Sequence, residues 1–455
     1  MPDDTIAAIS TPVGEGGVGI VRLSGPEALQ ILNSIFTRRR GGNSIVPWHV
    51  YHGHIVDPDS GEAIDEVLGV YMAAPKTYTR EDVVEISCHG GLIPLQSILS
   101  LVLRQGARLA HPGEFTLRAF LNGRIDLAQA ESVLDIIKAR TRVGLHVAMH
   151  QLGGRLSQEI REVRGSIISV LAYLTATIDF AEDEIPEEDF AAPLRESIAR
   201  VRGLLDSADA GIIYRQGLRT AIVGKPNVGK SSLLNALLRH NRAIVTPIPG
   251  TTRDTLEEAM SLGGIPLVLV DTAGITETGD VVERLGVERS RQAIQQADLA
   301  LLVLDGSSAL EENDREIAGL IWDRPAIVVI NKSDLPQRID VEETKRILGD
   351  RPLVRASTVS GDGLADVEEM IVGAVLRGKA AASDSLLVSN PRHKEALGRA
   401  LSHLESAEAS VQRGLPADFI AIDLSSAADA LGEITGETVT EDLLETIFSK
   451  FCIGK

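Results

Sequence analysis

Three textures follow one another along the chain, and the second returns at the end. Residues 1–120 carry short β-like runs broken by glycine and proline, such as GIVRLS, HVYHGHIVD, EVLGVYMAAP and EDVVEISCHGG. Runs of that length at short spacing predict an α+β domain. From about Asp126 apolar residues recur every three or four positions through DLAQAESVLDIIKARTRVGLHVAMHQLGGRLSQEIREVRGSIISVLAYL. That spacing predicts long amphipathic helices. Near Gly217 continuous apolar runs alternate with helical ones: LRTAIVG, PLVLVDTAG, DLALLVLDG, AIVVINKSD. Such runs predict a parallel sheet covered on both faces. Helical spacing returns after about Lys379 in SNPRHKEALGRALSHLESAEAS. The predicted organisation is an α+β domain (1–120), an all-α helical domain in two halves (121–216 and 380–455), and an α/β domain (217–379) inserted between them. No internal repeat is visible.

Composition narrows the function classes. The 455 residues carry 45 Lys and Arg against 64 Asp and Glu, a net charge of -19. A globally basic nucleic-acid binder is excluded, although a local basic patch is not. The two cysteines, Cys88 and Cys452, exclude a disulfide scaffold or a multi-cysteine metal site and fit a reducing cytosol. The start MPDDTIAAIS lacks a basic segment followed by an apolar one, and no apolar run is long enough to span a bilayer. A cytoplasmic protein without a signal peptide or membrane span is expected. Aromatics at 3% argue against base stacking as the main binding device.

The inserted domain opens with GKPNVGKS at 224–231, which matches G-x-x-x-x-G-K-[ST] between an apolar strand and the helix SSLLNALLRH. Its glycines let backbone N–H groups face phosphate oxygens at a helix N-terminus, where anions are favoured. Lys230 is expected at the β- and γ-phosphates and Ser231 on Mg²⁺, with Asn227, Val228, Gly229 and Ser232 in the same cradle. An ordinary glycine-rich turn would not also carry the preceding strand, the Lys-Ser pair and the helix. Asn331-Lys332-Ser333-Asp334 indicates the base. Guanine presents donors at N1 and its 2-amino group that one carboxylate accepts together; adenine has no such pair. Asp334 is the expected acceptor, Asn331 and Lys332 belong to the same loop, and Ser357-Thr358-Val359 is a degenerate further contact. In Asp271-Thr272-Ala273-Gly274, Asp271 would hold Mg²⁺ through water and the Gly274 N–H would meet the γ-phosphate. Thr251 and Thr252 supply the switch threonine, with Thr252 closing the Mg²⁺ shell. A Ras-like P-loop GTPase domain binding GTP and Mg²⁺ is the expected class.

Ile275 follows DTAG where Ras-type enzymes place a water-orienting glutamine, a task no aliphatic chain performs. Glu283 is the candidate replacement; the plainer reading is a solvated glutamate at a helix start. Asn227 offers an amide oxygen that could help hold a monovalent cation against the phosphates, in place of an arginine finger. Other signals fall away on context. Gly14-x-Gly16-x-x-Gly19 precedes the strand GIVRL instead of following one, and so is no dinucleotide fingerprint. His146 and His150 lack the glutamate of a zinc-protease helix, Cys88 and His89 should face opposite ways on a strand, and AEDEIPEEDF (181–190) reads as a solvated link.

In order along the chain, these segments resemble the tRNA-modifying GTPase family called MnmE or TrmE. TPVGEGGVGIVRLSGP, TYTREDVVEISCHGG and ARLAHPGEFTLRAFLNGRIDLAQAES look like its folate-binding domain. GTTRD, DTAG and VERLGVERS look like its G domain, and Phe451-Cys452-Ile453-Gly454-Lys455 like its terminal signature. The resemblance implies a homodimer formed through the N-terminal domain, with a 5-formyl-tetrahydrofolate-like one-carbon folate at Arg22, Glu85, Arg124 and Lys455. It implies potassium on Asn227, Thr246, the Ile248 carbonyl and Thr251, with Pro247, Pro249 and Gly250 in the same nucleotide-facing stretch. It further implies an FAD-containing partner, MnmG (GidA), in a heterotetramer. Together they would install an aminomethyl-type group on C5 of the wobble uridine, position 34, of certain tRNAs. Two motifs depart: SYTGED is TYTRED here, and S-A-[KR] is S-T-V, which leaves the guanine contact of that last loop open.

Ile447, Phe448 and Phe451 are expected to dock the last helix and deliver Cys452, Gly454 and Lys455 to a fixed place. Lys455 would offer a cation to the acidic tail of a folate. Cys452 reads either as a reactive thiol or as a small apolar plug. Three functions stay open on residues alone: a GTPase coupled to tRNA modification, a GTP-switch RNA-binding or ribosome-assembly factor, and a folate module with a regulatory G domain.

Overall fold

The computed structural model describes residues 4–39, 44–180, 189–240, 259–270, 283–376 and 388–455. They divide into two units: one runs to Leu134 and resumes at Gly432–Lys455, the other lies between Asp135 and Leu431.

The first unit begins with β1 (Ile6–Ile9), β2 (Gly16–Ser24), α1 (Ala28–Ile35), β3 (Phe36–Arg38), β4 (Val50–Val56), β5 (Ala63–Met72) and β6 (Val83–Gly90). It continues with α2 (Leu92–Arg104), β7 (Arg108–Leu109), α3 (Glu114–Leu121) and α4 (Leu127–Lys138). The strands make one sheet in the order β3-β4-β5-β6-β2-β1-β7, antiparallel except for the β1–β7 pair. Period-two alternation decides its faces: Val84, Ile86 and Cys88 of β6 point into a core shared with Ile31 and Leu32 of α1 and Leu95 and Ile98 of α2. His89, next in the strand, is exposed. Gly16 and Gly19 do not precede the strand, as the sequence suggested, but lie within β2 across a register shift.

The second unit starts with three helices, α5 (Arg142–Leu152), α6 (Arg155–Asp179) and α7 (Ala191–Gln216). Then come β8 (Leu218–Val223), α8 (Lys230–His240), β9 (Ala259–Leu262), β10 (Ile265–Leu269), α9 (Glu283–Gln296), β11 (Leu299–Asp305) and α10 (Glu312–Leu320). β12 (Ala326–Asn331), α11 (Val341–Leu348), β13 (Leu353–Arg355), α12 (Leu364–Leu376), α13 (Pro391–Gln412) and α14 (Ala417–Thr435) complete it. The sheet order is β13-β12-β11-β8-β10-β9, parallel except for β9. Its central strands are nearly continuous apolar runs because both faces are covered. Leu301, Val303, Ile327 and Val329 enter one core, while Ala300, Leu302, Leu304, Val328 and Ile330 enter the other. Thr141 caps α5 and Asn390, followed by Pro391, caps α13, so polar side chains set where helices restart.

The chain then re-enters the first unit with α15 (Glu441–Phe448). Its Ile447 and Phe448, with Phe451 beyond it, pack on Ala119 of α3 and on Leu127, Ala130 and Leu134 of α4. α4 has the spacing of the helical run and spends its apolar stripe on this cluster. His146 and His150 lie side by side on α5 with ring centroids 4.1 Å apart and planes inclined at 53°, and no group suited to a metal ion occurs among the described residues. Among the same residues no helix is long and apolar enough to cross a membrane.

Candidate functional site

The strand–turn–helix at 218–240 places the phosphate loop at the C-terminal end of β8, beside the ends of β11 and β12. That is where ligands bind in open α/β sheets. Lys230, first residue of α8, donates from Nζ to the Gly224 carbonyl at 2.8 Å and the Lys225 carbonyl at 2.9 Å. Burial pushes its ammonium below the ordinary lysine range, and a phosphate beside it would favour the charged form. Asn227 holds φ +62°, a left-handed backbone that a non-glycine residue keeps only when its surroundings impose it. Gly229, at φ +98°, must be glycine on two counts: a Cβ there would collide with the side-chain amide of Asn331.

Asn331 is the joint of the site. Buried at the end of β12, it donates from Nδ2 to the Val228 carbonyl at 2.8 Å and accepts from Thr358 N at 3.3 Å. One side chain therefore ties the phosphate loop to the loop after β13. Asp334 receives the Ser357 hydroxyl at 2.6 Å, and the same Ser357 Oγ accepts Val359 N at 3.2 Å and Ser360 N at 3.1 Å. Lys332, also left-handed at φ +62°, is held by Asp305 at 2.6 Å. Ser232, Thr358 and Val359 share the rim of an open depression of about 420 Å³. Thr246, Pro247, Ile248, Pro249, Gly250, Thr251, Thr252, Asp271, Thr272, Ala273, Gly274 and Ile275 lie outside the described residues, as does the side chain of Glu283. The Glu283 backbone opens α9.

A second constellation forms in the first unit. Arg22 of β2 faces Glu85 of β6 as a cross-strand pair, with Nε at 2.8 Å and Nη2 at 2.7 Å from Glu85 Oε1. Its Nη1 donates to the Gly454 carbonyl at 3.4 Å, and its guanidinium lies 5.8 Å from the centre of the Phe115 ring. The tail is thus fixed beside Arg22. The Cys452 carbonyl accepts Gly113 N and Lys455 N, both at 3.3 Å. Gly454 turns at φ +93° against the Ile9 carbonyl, where a Cβ would clash. Arg124 lies 4.7 Å from the ring centre of Tyr78 and donates to its carbonyl at 3.3 Å. Burial pushes the Tyr78 hydroxyl up despite its bond to Thr116 and the nearby charges of Arg124 and Arg22. Cys452 itself is exposed, so the plug reading fails and Phe451 does the packing. Tyr78 and Phe115 were not singled out in the sequence. TYTRED and GEFTLR were, and aromatic residues within a ligand-binding motif were the available signal.

The chain can now be set beside known proteins. A family model described as MnmE helical domain matches residues 127–452, and one described as GTP-binding protein TrmE N-terminus matches residues 5–124. The tRNA modification GTPase MnmE of Alkaliphilus metalliredigens is 50% identical over 458 residues, covering 100% of this chain and 99% of that protein. The protein of the same name from Roseiflexus castenholzii is 52% identical over 466 residues, covering 100% of both. With both family models matched and relatives this similar along its whole length, the chain belongs to the MnmE (TrmE) family of tRNA modification GTPases.

Proposed function

We propose that this GTPase acts with an FAD-containing partner of the MnmG (GidA) kind to modify C5 of the wobble uridine, position 34, of certain tRNAs, drawing on a one-carbon tetrahydrofolate. What carries the reading is one chain holding two built constellations: the Lys230–Asn331–Asp334 nucleotide loops, and the Arg22–Glu85 pair against a docked C-terminal tail. On this reading Lys230 leaves its two carbonyls for the β- and γ-phosphates. Asp334, oriented by Ser357, accepts from guanine N1 and the 2-amino group. Ser231 and Thr252 ligate Mg²⁺, Asp271 acts through water, and Gly274 meets the γ-phosphate. Asn227, Thr246, the Ile248 carbonyl and Thr251 hold potassium, whose charge offsets that developing on the phosphates. Glu283 orients the attacking water; its task is position more than basicity.

In the first unit Arg22, Arg124 and Lys455 supply positive charge for the acidic tail of a folate, and Glu85 fixes Arg22. Partly buried Tyr78 lies 4.7 Å from the Arg124 guanidinium, while Phe115 is fully buried and packs behind Arg22, so it is the charges present that fit an acidic ligand. When bound, the folate supplies the one-carbon unit. Cys452 is the thiol exposed at that tail. The active form is a homodimer through the N-terminal unit, in a heterotetramer with its partner in the cytoplasm. The test is reconstitution: this chain, the FAD partner, an unmodified tRNA, GTP and a one-carbon folate, read by nucleoside mass spectrometry. A C5 adduct on uridine 34 that requires every component supports the proposal; no adduct from a mixture that hydrolyses GTP refutes it.

A further inference from the structure

Two lysines within the nucleotide motifs, Lys225 and Lys332, are anchored by one segment that belongs to neither motif. Between β11 and α10 the chain runs from Asp305 to Asp314. At its start, Asp305 Oδ2 holds Lys332 Nζ at 2.6 Å, and Oδ1 accepts Ser307 N at 2.9 Å and Ser307 Oγ at 2.6 Å. Gly306 then donates to the Asn331 carbonyl at 2.9 Å and accepts from Arg338 N at 2.8 Å, fastening the same loop from its backbone. At the other end Asp314, only 3% exposed, takes two donors on Oδ2: Glu311 N at 3.0 Å and Lys225 Nζ at 3.0 Å. Glu311 Oε2 lies 3.2 Å from the same ammonium. Lys225 is the second residue of the phosphate loop, and its carbonyl is one of the two that hold Lys230.

We propose that the 305–314 segment is a strap that positions both ends of the nucleotide site, the base side through Asp305–Lys332 and the phosphate side through Asp314–Lys225–Lys230. The division follows from the bonds. Among the described residues Asp305 makes no bond to the phosphate loop; it holds the ammonium of Lys332, whose backbone is left-handed. Asp314 touches no base-side residue; it fixes the lysine whose carbonyl sets the Lys230 ammonium. Two carboxylates, Asp314 at 3.0 Å and Glu311 at 3.2 Å, face the Lys225 ammonium. Neutralised in this way, Lys225 does not compete for phosphate and serves as an anchor. Asp305, Glu311, Asp314 and Lys225 are positioning residues.

The inference deepens the GTP reading and rests on it. Guanosine monophosphate separates the two halves, because it carries the base but lacks the phosphates that Lys230 reaches. Binding of fluorescent N-methylanthraniloyl-GDP, and its displacement by GDP and by GMP, is measured on the full chain. Lys225→Met is expected to weaken GDP by about tenfold while GMP changes less than about twofold. Lys225→Arg, which keeps a donor toward Asp314, recovers most of that loss. Asp305→Asn weakens GDP and GMP alike. Asp314→Asn, which keeps shape and the bond from Glu311 N, repeats the Lys225→Met pattern if that variant folds poorly. Equal losses of GDP and GMP in both phosphate-side variants, or no loss in any variant, would overturn the strap. A wild-type chain that binds no fluorescent GDP would overturn the nucleotide reading itself, a distinct result.

Discussion

Truncating Phe451 tests whether the C-terminus is a built part of the first unit. Its side chain is 5% exposed, its ring centre lies 5.5 Å from that of Phe448, and it shares a core with Ala119, Leu127, Leu134 and Ile447. Phe→Ala in a core costs about 3–5 kcal/mol. The tail can relax by undocking, a path not open to a residue inside a sheet, so the lower end of about 3 kcal/mol applies. That energy corresponds to roughly a 150-fold shift in the docking equilibrium. The seat beyond Phe451 is held by few bonds: Gly113 N to the Cys452 carbonyl, and Arg22 to the Gly454 carbonyl. They should be lost together. Amide hydrogen exchange reads this directly, because the Gly113 N–H is protected only while the tail stays docked. In Phe451→Ala its exchange should accelerate by about 10²-fold, while amides within the β2–β6 pairing keep their protection. Unchanged exchange at Gly113 would mean that the tail is held by something other than this aromatic contact. Loss of protection throughout the sheet would mean that Phe451 supports the whole unit and not the tail.

Glu283→Ala should lower the GTP turnover number by roughly 10²–10⁴-fold with GTP affinity nearly unchanged; loss of binding instead would make the residue structural. GTP hydrolysis in potassium should exceed that in sodium at equal ionic strength by at least about tenfold, and Asn227→Ala should erase the difference, as steady-state rates in the two salts will show. The first unit should lose stability in acid. Burial pushes the carboxyls of Asp4 and Glu114 up, but Arg108 and Arg118 outweigh it and hold them below the ordinary 3.8 and 4.5. Their contribution is therefore complete above about pH 5 and lost as pH falls through the depressed folded values, so melting temperature should drop below about pH 4 and drop less in Arg118→Met.

The nucleotide loops were legible because their chemistry demands fixed residues at fixed spacing next to a strand and a helix. GKPNVGKS and NKSD could be placed before any coordinates. The parallel sheet was legible in its apolar strands, since burial on both faces leaves no polar alternation to mimic. What could not be read are pairings between distant residues. Asp305 with Lys332 and Lys225 with Asp314 join charges far apart in the sequence, and an ion pair has no spacing rule outside a helix or a register. Arg22 and Glu85 were named only through the resemblance; the register of β2 against β6 makes them neighbours. α4 has the periodicity of the helical run, and the partners of its apolar stripe, Ile447, Phe448 and Phe451 near the other end of the chain, follow from no spacing rule.

The most direct measurement of the central claim is mass spectrometry of nucleosides from tRNA of a strain lacking this chain. The account predicts that the C5 substituent of the wobble uridine disappears from a subset of tRNAs. Wild-type protein should restore it, while Glu283→Ala and Cys452→Ser should not. Fully modified wobble uridine in the deletion strain, accompanied by a defect in ribosomal subunit assembly, would contradict the account and make the chain a GTP-dependent assembly factor.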